Sequence, residues 1–312
     1  MKKLFGGALA LAAGATLLAP SLPATAIVGG APDQGEHPYV GQLLFYVPDA
    51  IDPRFDDPGG WFNCTGTLID ADTVVTAGHC TYAVGLEGVA PEDPLFGGTD
   101  VWFSVSEAPD YSILAPSRTF VPDGNEERYE EWSKALDRSR TWYEAESTFT
   151  HPEYVDSAFL LHDLGVVELS EPIRLPEYGT LPEAGYLDQY YSAAAKNQGL
   201  FESVGYGLEG SGPKSSFGGD TRRKADRRLV SFEGAYGYRN IAVKFSHNSG
   251  GTCFGDSGGP TFDISSPEIA DQNIIVAVTS FGLNYNCNAS GSYRIDQADD
   301  LAFLLDPAGA YS

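Results

Sequence analysis

Apolar and polar positions along this chain alternate on a short beat. Runs of β-branched and apolar residues at 73–76, 101–105, 164–169, 241–245 and 274–279 are separated by clusters of Gly, Pro, Asp and Asn. Short apolar runs bounded by turn formers predict strands. Many such strands predict an all-β chain built as a sandwich or barrel. Two stretches depart from the beat. Residues 125–140 place Tyr129, Trp132 and Leu136 at helical spacing. Near the end, Asp296 stands in position to cap a short helix bearing Leu301, Leu304 and Leu305, whose expected task is to dock the C-terminus on the core.

The first 26 residues have a different pattern. Lys2 and Lys3 precede an uncharged apolar run from 4 to 18, and Ala24-Thr25-Ala26 follows. A basic start, a short apolar middle and a small-residue cleavage site predict a signal peptide over 1–26. The run is too short to span a bilayer comfortably. The expected product is a secreted, extracellular chain over 27–312, free of the membrane after cleavage and monomeric.

Composition narrows the partners. Loss of Lys2 and Lys3 takes the 19 basic side chains to 17, against 43 acidic ones, a formal charge of −26. Such a chain repels the phosphates of nucleic acid and anionic membranes. The one dense basic run, Arg222-Arg223-Lys224 with Arg227 and Arg228, reads as a solvated face. Two segments read as loop elaborations: 49–60, rich in Pro, Asp and Gly, and a longer acidic insertion at about 82–147. The insertion reads as a surface excursion packed by its own aromatics. No EF-hand-like calcium spacing occurs in it. The chain has four Cys and no CxxC pair, which points to two disulfides rather than a metal site in an exported protein. Four Cys leave three pairings open by spacing alone. No cofactor and no metal are expected.

Three motifs carry chemistry. Gly255-Asp256-Ser257-Gly258-Gly259-Pro260 surrounds a serine with glycines. A hydroxyl becomes a nucleophile when a base takes its proton and nearby donors hold the developing oxyanion, and glycines let amide groups converge there. Thr76-Ala77-Gly78-His79-Cys80 supplies a base beside a cysteine, and Asp163 heads the apolar run Leu164-Gly165-Val166-Val167. The remaining histidines, His37, His151, His162 and His247, read as ordinary surface or core residues. The order His, Asp, Ser separates this constellation from the other common serine hydrolases.

With Ile27-Val28-Gly29-Gly30, these motifs make the chain resemble the trypsin/chymotrypsin family of serine peptidases, from Ile27 almost to the C-terminus. The signal peptide and the few disulfides point to a bacterial exported member. The resemblance implies two antiparallel Greek-key β-barrels, at about 27–175 and 190–300, followed by a short C-terminal helix. The active site lies between the barrels. By this resemblance Ser257 attacks the scissile carbonyl of a protein or peptide, His79 is the base, and Asp163 orients it. The amides of Gly255 and Ser257 form the oxyanion hole, and Cys64 pairs with Cys80, Cys253 with Cys287. An amine freed at Ile27 pairs with Asp256. Because Ala26 directly abuts Ile27, signal cleavage itself is the expected activating cut. The specificity pocket maps to Gly251 at the floor and Gly282 and Gly291 on the walls, with Ser280 and Gly282 holding the substrate backbone. Glycine on both walls implies an open slot for a large apolar or aromatic residue before the scissile bond. Two other readings share these residues: a non-catalytic binding module of the same fold, and an esterase using the same triad.

Overall fold

The computed structural model describes residues 27–53, 55–114, 124–158, 161–212, 215–233, 239–245, 251–282, 287 and 290–311. The signal segment, 1–26, and His247 lie outside the described residues. A two-residue strand, β1 (Ala31–Pro32), opens the fold. Six strands then close into an antiparallel barrel in the order β2-β3-β4-β7-β6-β5: β2 (Val40–Val47), β3 (Gly60–Leu68), β4 (Thr73–Thr76), β5 (Val101–Ser104), β6 (Tyr143–Thr150) and β7 (Gly165–Leu169). The second half is an eight-stranded antiparallel sheet, ordered β1-β11-β8-β14-β15-β16-β13-β12. Its members are β8 (Phe201–Gly205), β11 (Arg223–Arg227), β12 (Leu229–Glu233), β13 (Arg239–Phe245), β14 (Pro260–Asp263), β15 (Ile275–Gly282) and β16 (Ser290–Arg294). A separate hairpin joins β9 (Leu208–Gly212) to β10 (Ser215–Gly218). All five apolar runs read from the sequence fall in strands, and the all-β class holds.

The period of two explains why the barrel carries two cores. On β2, Leu43 and Phe45 join the main core while Leu44 joins a different cluster; on β5, Val101 and Phe103 go inward and Trp102 goes outward. Successive strand side chains point to opposite faces. The outward cluster is covered by the two loop elaborations. Helix Asn125–Asp137 contributes Leu136 and Trp132, and its neighbours Tyr111 and Trp61 complete the layer. The Trp61 ring lies 5.5 Å from Trp102, 5.4 Å from Trp132 and 6.1 Å from Tyr129. Each such aromatic pair adds about 0.5–1.5 kcal/mol beyond its buried area. Asp57, in the first elaboration, accepts the Glu126 N–H at 2.9 Å, and Trp102 Nε1 donates to Asp137 at 3.0 Å, so both helix ends are pinned. The expected excursion is therefore a second core, and β5 divides it into two parts.

Two expectations are corrected. The basic run is not a solvated face: Arg222, Arg223 and Arg227 are all buried, and only Arg228 of the arginines is exposed. Arg222 Nε donates to Asp33 Oδ2 at 2.8 Å, and its Nη1 donates to the carbonyls of Val40 (2.8 Å) and Val105 (3.1 Å). Burial alone would raise the Asp33 carboxyl, but the contacts and charges of His37 and Arg222 outweigh it and hold it well below the usual carboxylate range. Alternation along β11 puts Arg223 and Arg227 on the face opposite Lys224, and charge density alone does not reveal that face. Asp296 is not the helix cap. Helix Ala298–Leu305 is preceded by Gln297, while Asp296 binds Arg294 and the Leu187 N–H (2.7 Å). The helix docks through Phe303 and Leu304, and Leu305 faces solvent at 75% exposure.

Replacing Arg222 with Met leaves Asp33 buried beside His37 alone. Loss of one partner of a buried ion pair costs about 3–5 kcal/mol. Denaturant unfolding of Arg222→Met should show a drop of that size, and a loss below about 1 kcal/mol would contradict this account of the pair.

Candidate active site

The barrel register brings the first two expected residues together. β4 and β7 pair antiparallel, with Thr76 opposite Gly165. His79 follows β4 by one short turn, Gly78–Thr81, and Asp163 immediately precedes β7, so both emerge at the same end. A disulfide between Cys64 and Cys80 ties that turn to β3. Asp163 is fully buried and is the acceptor for three groups. His79 N–H donates to Oδ1 at 2.9 Å, His79 Nδ1 lies 3.1 and 3.0 Å from the two oxygens, and Ser280 Oγ donates to Oδ2 at 2.5 Å. Burial would lower the His79 imidazole, but the charge and hydrogen bond of Asp163 outweigh it and raise its pKa above the ordinary value. An imidazole whose Nδ1–H is held by a carboxylate leaves Nε2 free to accept a proton.

Ser257 reaches the same cleft from the second sheet, in the turn before β14. The cleft, about 960 Å³, is lined by His79, Ser257 and Gly255 among others. Ser257 and His79 face it without hydrogen-bonding to each other, and such contacts commonly tighten only in the substrate complex. Gly255 has φ +97°, which an L side chain rarely adopts. Leu208 N–H donates to Phe254 O at 2.8 Å, turning the N–H of that same peptide, which belongs to Gly255, the opposite way. Thr65 Oγ1 holds the Gly255 carbonyl at 2.9 Å and Thr65 N–H holds the Ser257 carbonyl at 2.7 Å. Among the described residues, neither the Gly255 nor the Ser257 N–H donates to another protein group. Two fixed, unengaged donors beside a serine can stabilise an oxyanion.

Asp256 points away from the cleft into the protein. Its carboxylate accepts from Gly207 N–H and Cys253 N–H, both at 2.7 Å. A Cβ at Gly207 would lie 2.3 Å from Asp256 Oδ2, so only glycine permits this approach. Burial pushes the carboxyl up to about 7, against the opposing pull of the two N–H groups and of Arg227. Arg227 is itself buried and pushed down to about 10. Ile27 is fully buried, and Val28 pairs with Gly251 through two backbone hydrogen bonds of 3.1 and 3.0 Å.

A small pocket adjoins Ser257 near the residues expected to select the substrate. Framed by the Cys253–Cys287 disulfide, it has a volume of only about 40 Å³. Gly282 lines it, with nothing near its would-be Cβ. Gly291 does not, because the Phe281 ring lies across it: a Cβ there would meet Phe281 Cζ at 2.2 Å. β15 and β16 pair Phe281 with Gly291, so the ring fills the space the glycine vacates. Gly251 is also absent from the lining, and Thr252 and Ser290 stand there instead, their hydroxyls 2.7 Å apart. Thr279 Oγ1, also in the lining, has no hydrogen-bond partner among the described residues. The pocket's volume is below the roughly 150 Å³ that holds a benzene-sized guest, which bears on the expected slot for a large aromatic residue.

Two contributions were not read from the sequence. Ser280 was assigned to the substrate backbone, yet its hydroxyl also holds Asp163. Phe281, a bulky residue between two assigned ones, was the visible signal for the blocked wall. His151 is buried and His162 half-buried, beside one another. Their rings stack at 4.6 Å, Glu153 N–H donates to His151 Nδ1 at 3.2 Å, and both rings face Asp300, to which Tyr293 O–H donates at 3.0 Å. This cluster fastens the C-terminal helix to the loop that carries Asp163.

Comparison with known proteins agrees with this arrangement. None of the curated proteins matches the chain. A solved structure described as HL collagenase superposes with a TM-score of 0.58 at 16% identity, covering 91% of this chain and 99% of that one, which establishes the shared two-barrel fold. The family model described as Trypsin matches residues 27–95 and 127–298, leaving out only part of the insertion and the chain ends. Barrel, sheet, cleft and family match together show that this chain belongs to the trypsin family of serine peptidases.

Proposed function

We propose that the protein is a secreted serine endopeptidase that works through an acyl-enzyme, with Ser257, His79 and Asp163 as its triad. The observation that carries this reading is the meeting, in one cleft, of a carboxylate-held imidazole, a serine and two unengaged amides. Ser257 Oγ attacks the scissile carbonyl as His79 takes its proton. The carbonyl oxygen, now an anion, is held by the Gly255 and Ser257 N–H groups. His79 gives the proton to the leaving amine, the C–N bond breaks, and water repeats the sequence on the ester. Asp163 fixes the tautomer and stabilises the imidazolium. The presence of all three triad residues disfavours a non-catalytic binding module of this fold, and ester cleavage would accompany peptide cleavage through the same steps.

Substrate selection before the scissile bond follows from the blocked wall. With Ser280 and Gly282 holding the backbone as an added strand, the hydroxyl-lined pocket suits a small uncharged residue such as Ala, Ser or Thr. Activation follows from Asp256. Its buried carboxyl, protonated near neutrality in the uncut chain, becomes a stable anion when the amine of Ile27 arrives as a cation. Removal of the signal peptide at Ala26 would free that amine, so export and activation are one event.

Four measurements test this reading. Ser257→Ala should abolish hydrolysis of a peptide panel varied before the scissile bond, while the parent cleaves after small residues. Phe281→Ala should shift the preference toward Phe and Leu by tenfold or more, and retention of the parent preference would remove Phe281 from the pocket's control. On the acid side, kcat/KM should fall as pH drops through the raised His79 value, above the ordinary pKa of about 6.5. The half-point should move down in Asp163→Asn, whose turnover should also drop by about 10⁴. A chain beginning at Ile27 should exceed one beginning at Ala26 in activity by at least tenfold; equal activities would exclude the amine from the mechanism.

A further inference from the structure

The cleft is strongly lopsided about the serine. On one side lies the pocket of about 40 Å³ beside Ser280 and Gly282. On the other lies the large cavity of about 960 Å³, which runs from Ser257 and His79 past the Cys64 region to Trp61, Phe62 and Trp132. Among the described residues, Ser257 and Phe254 line both. If the acyl half of a substrate lies along β15, the half that departs with the amine must enter the large cavity. This placement rests on the peptidase reading above.

The far wall of that cavity belongs to the two elaborations. Asp49 and Ala50 come from the first, and Tyr111, Arg128 and Trp132 come from the second. Leu44, Phe45, Val47, Trp61 and Phe62 come from β2 and β3, and Phe62 is 46% exposed. Among the described residues the wall is mostly apolar and aromatic, and its one cation is already committed. Arg128 Nη2 lies 3.3 Å from Asp52 and 2.5 Å from Asn125 Oδ1, and its guanidinium sits over the Phe55 ring at 4.7 Å. Asp49, Asp156 and Asp220 add only negative charge to the lining. The trypsin match omits residues 96–126, which include Tyr111 of this wall.

We propose that the two elaborations form a binding site for the substrate residues that follow the scissile bond, and that this site selects apolar and aromatic side chains and rejects acidic ones. A cavity of this size takes more than one side chain, whereas the opposite pocket takes one small one. Selection is thereby carried on the leaving side of the serine. Aromatic walls bind such side chains through area removed from water and ring contacts.

The test uses two peptides with the same Ala-rich acyl half, one continuing Leu-Trp and the other Gly-Gly after the scissile bond. The parent enzyme should show a kcat/KM ratio of at least tenfold in favour of Leu-Trp. Trp132→Ala and Phe62→Ala should each bring the ratio toward one, and a Leu-Glu continuation should fall below Leu-Trp. A purely structural role for Trp132 would lower both peptides alike and leave the ratio, overturning the proposal, as would a parent ratio near one with hydrolysis still dependent on Ser257. The peptidase reading is separated by Ser257→Ala protein titrated with a Leu-Trp-Ala peptide whose Trp is replaced by Phe, read by Trp61 and Trp132 fluorescence. Saturable binding without any Ser257-dependent hydrolysis in the parent would keep the site and remove the peptidase reading; no binding together with a ratio near one would remove the site.

Discussion

The arrangement hangs on one buried carboxylate. Asp163 belongs to the barrel, yet one of its oxygens is held by Ser280, which belongs to the opposite sheet. The other oxygen takes the backbone N–H of His79 as well as its ring. A buried carboxylate needs its acceptor sites filled, or it loses far more than a neutral hydrogen bond is worth. The two halves of the molecule therefore meet where the charge requires them to meet. The same contacts that satisfy the charge set the angle of the imidazole, so packing of the halves and orientation of the base are a single constraint. His151, His162 and Asp300 extend it outward, because the C-terminal helix rests on the loop that delivers Asp163.

The strands were legible because their outward and inward residues differ in kind, and turn formers bound them. The three residues of the proposed triad could be picked out because each sits in a short motif of its own and the three follow in a diagnostic order. What escaped is what depends on which side chain faces which across a distance. Arg222 and Arg227 look like solvent charges until β11 is paired and Asp33 is brought to one face. Asp296 resembles a cap, but Arg294, two residues earlier, claims it first. Phe281 and Gly291 are ten residues apart in sequence and directly opposed in register, so the glycine's empty volume, which promised an open wall, is filled by its cross-strand neighbour.

The elaborations show how a barrel can be enlarged without disturbing its interior. Strands of period two have a spare face, and on β2 and β5 that face carries Leu44 and Trp102, both buried there. An exposed patch of that kind invites association. Here it is covered from within the chain, and the covering layer ends at the lip of the cleft. The growth that protects the barrel's outer surface thus also shapes its mouth.

The N-terminal segment carries a last consequence. Asp33 is locked to Arg222, β1 is paired with β11, and Val28 is already paired with Gly251 while the chain is still uncut. In the proposed activation, an amine freed at Ile27 would be tethered by one or two residues rather than by a loose arm. The cost of closing a loop grows with its length, and for so short a leash it has been met in folding the precursor. The effective concentration of the amine at its destination is then set by rotation about a few backbone bonds. On that proposal, one cut peptide bond would place the amine within reach of Asp256 without a long chain search.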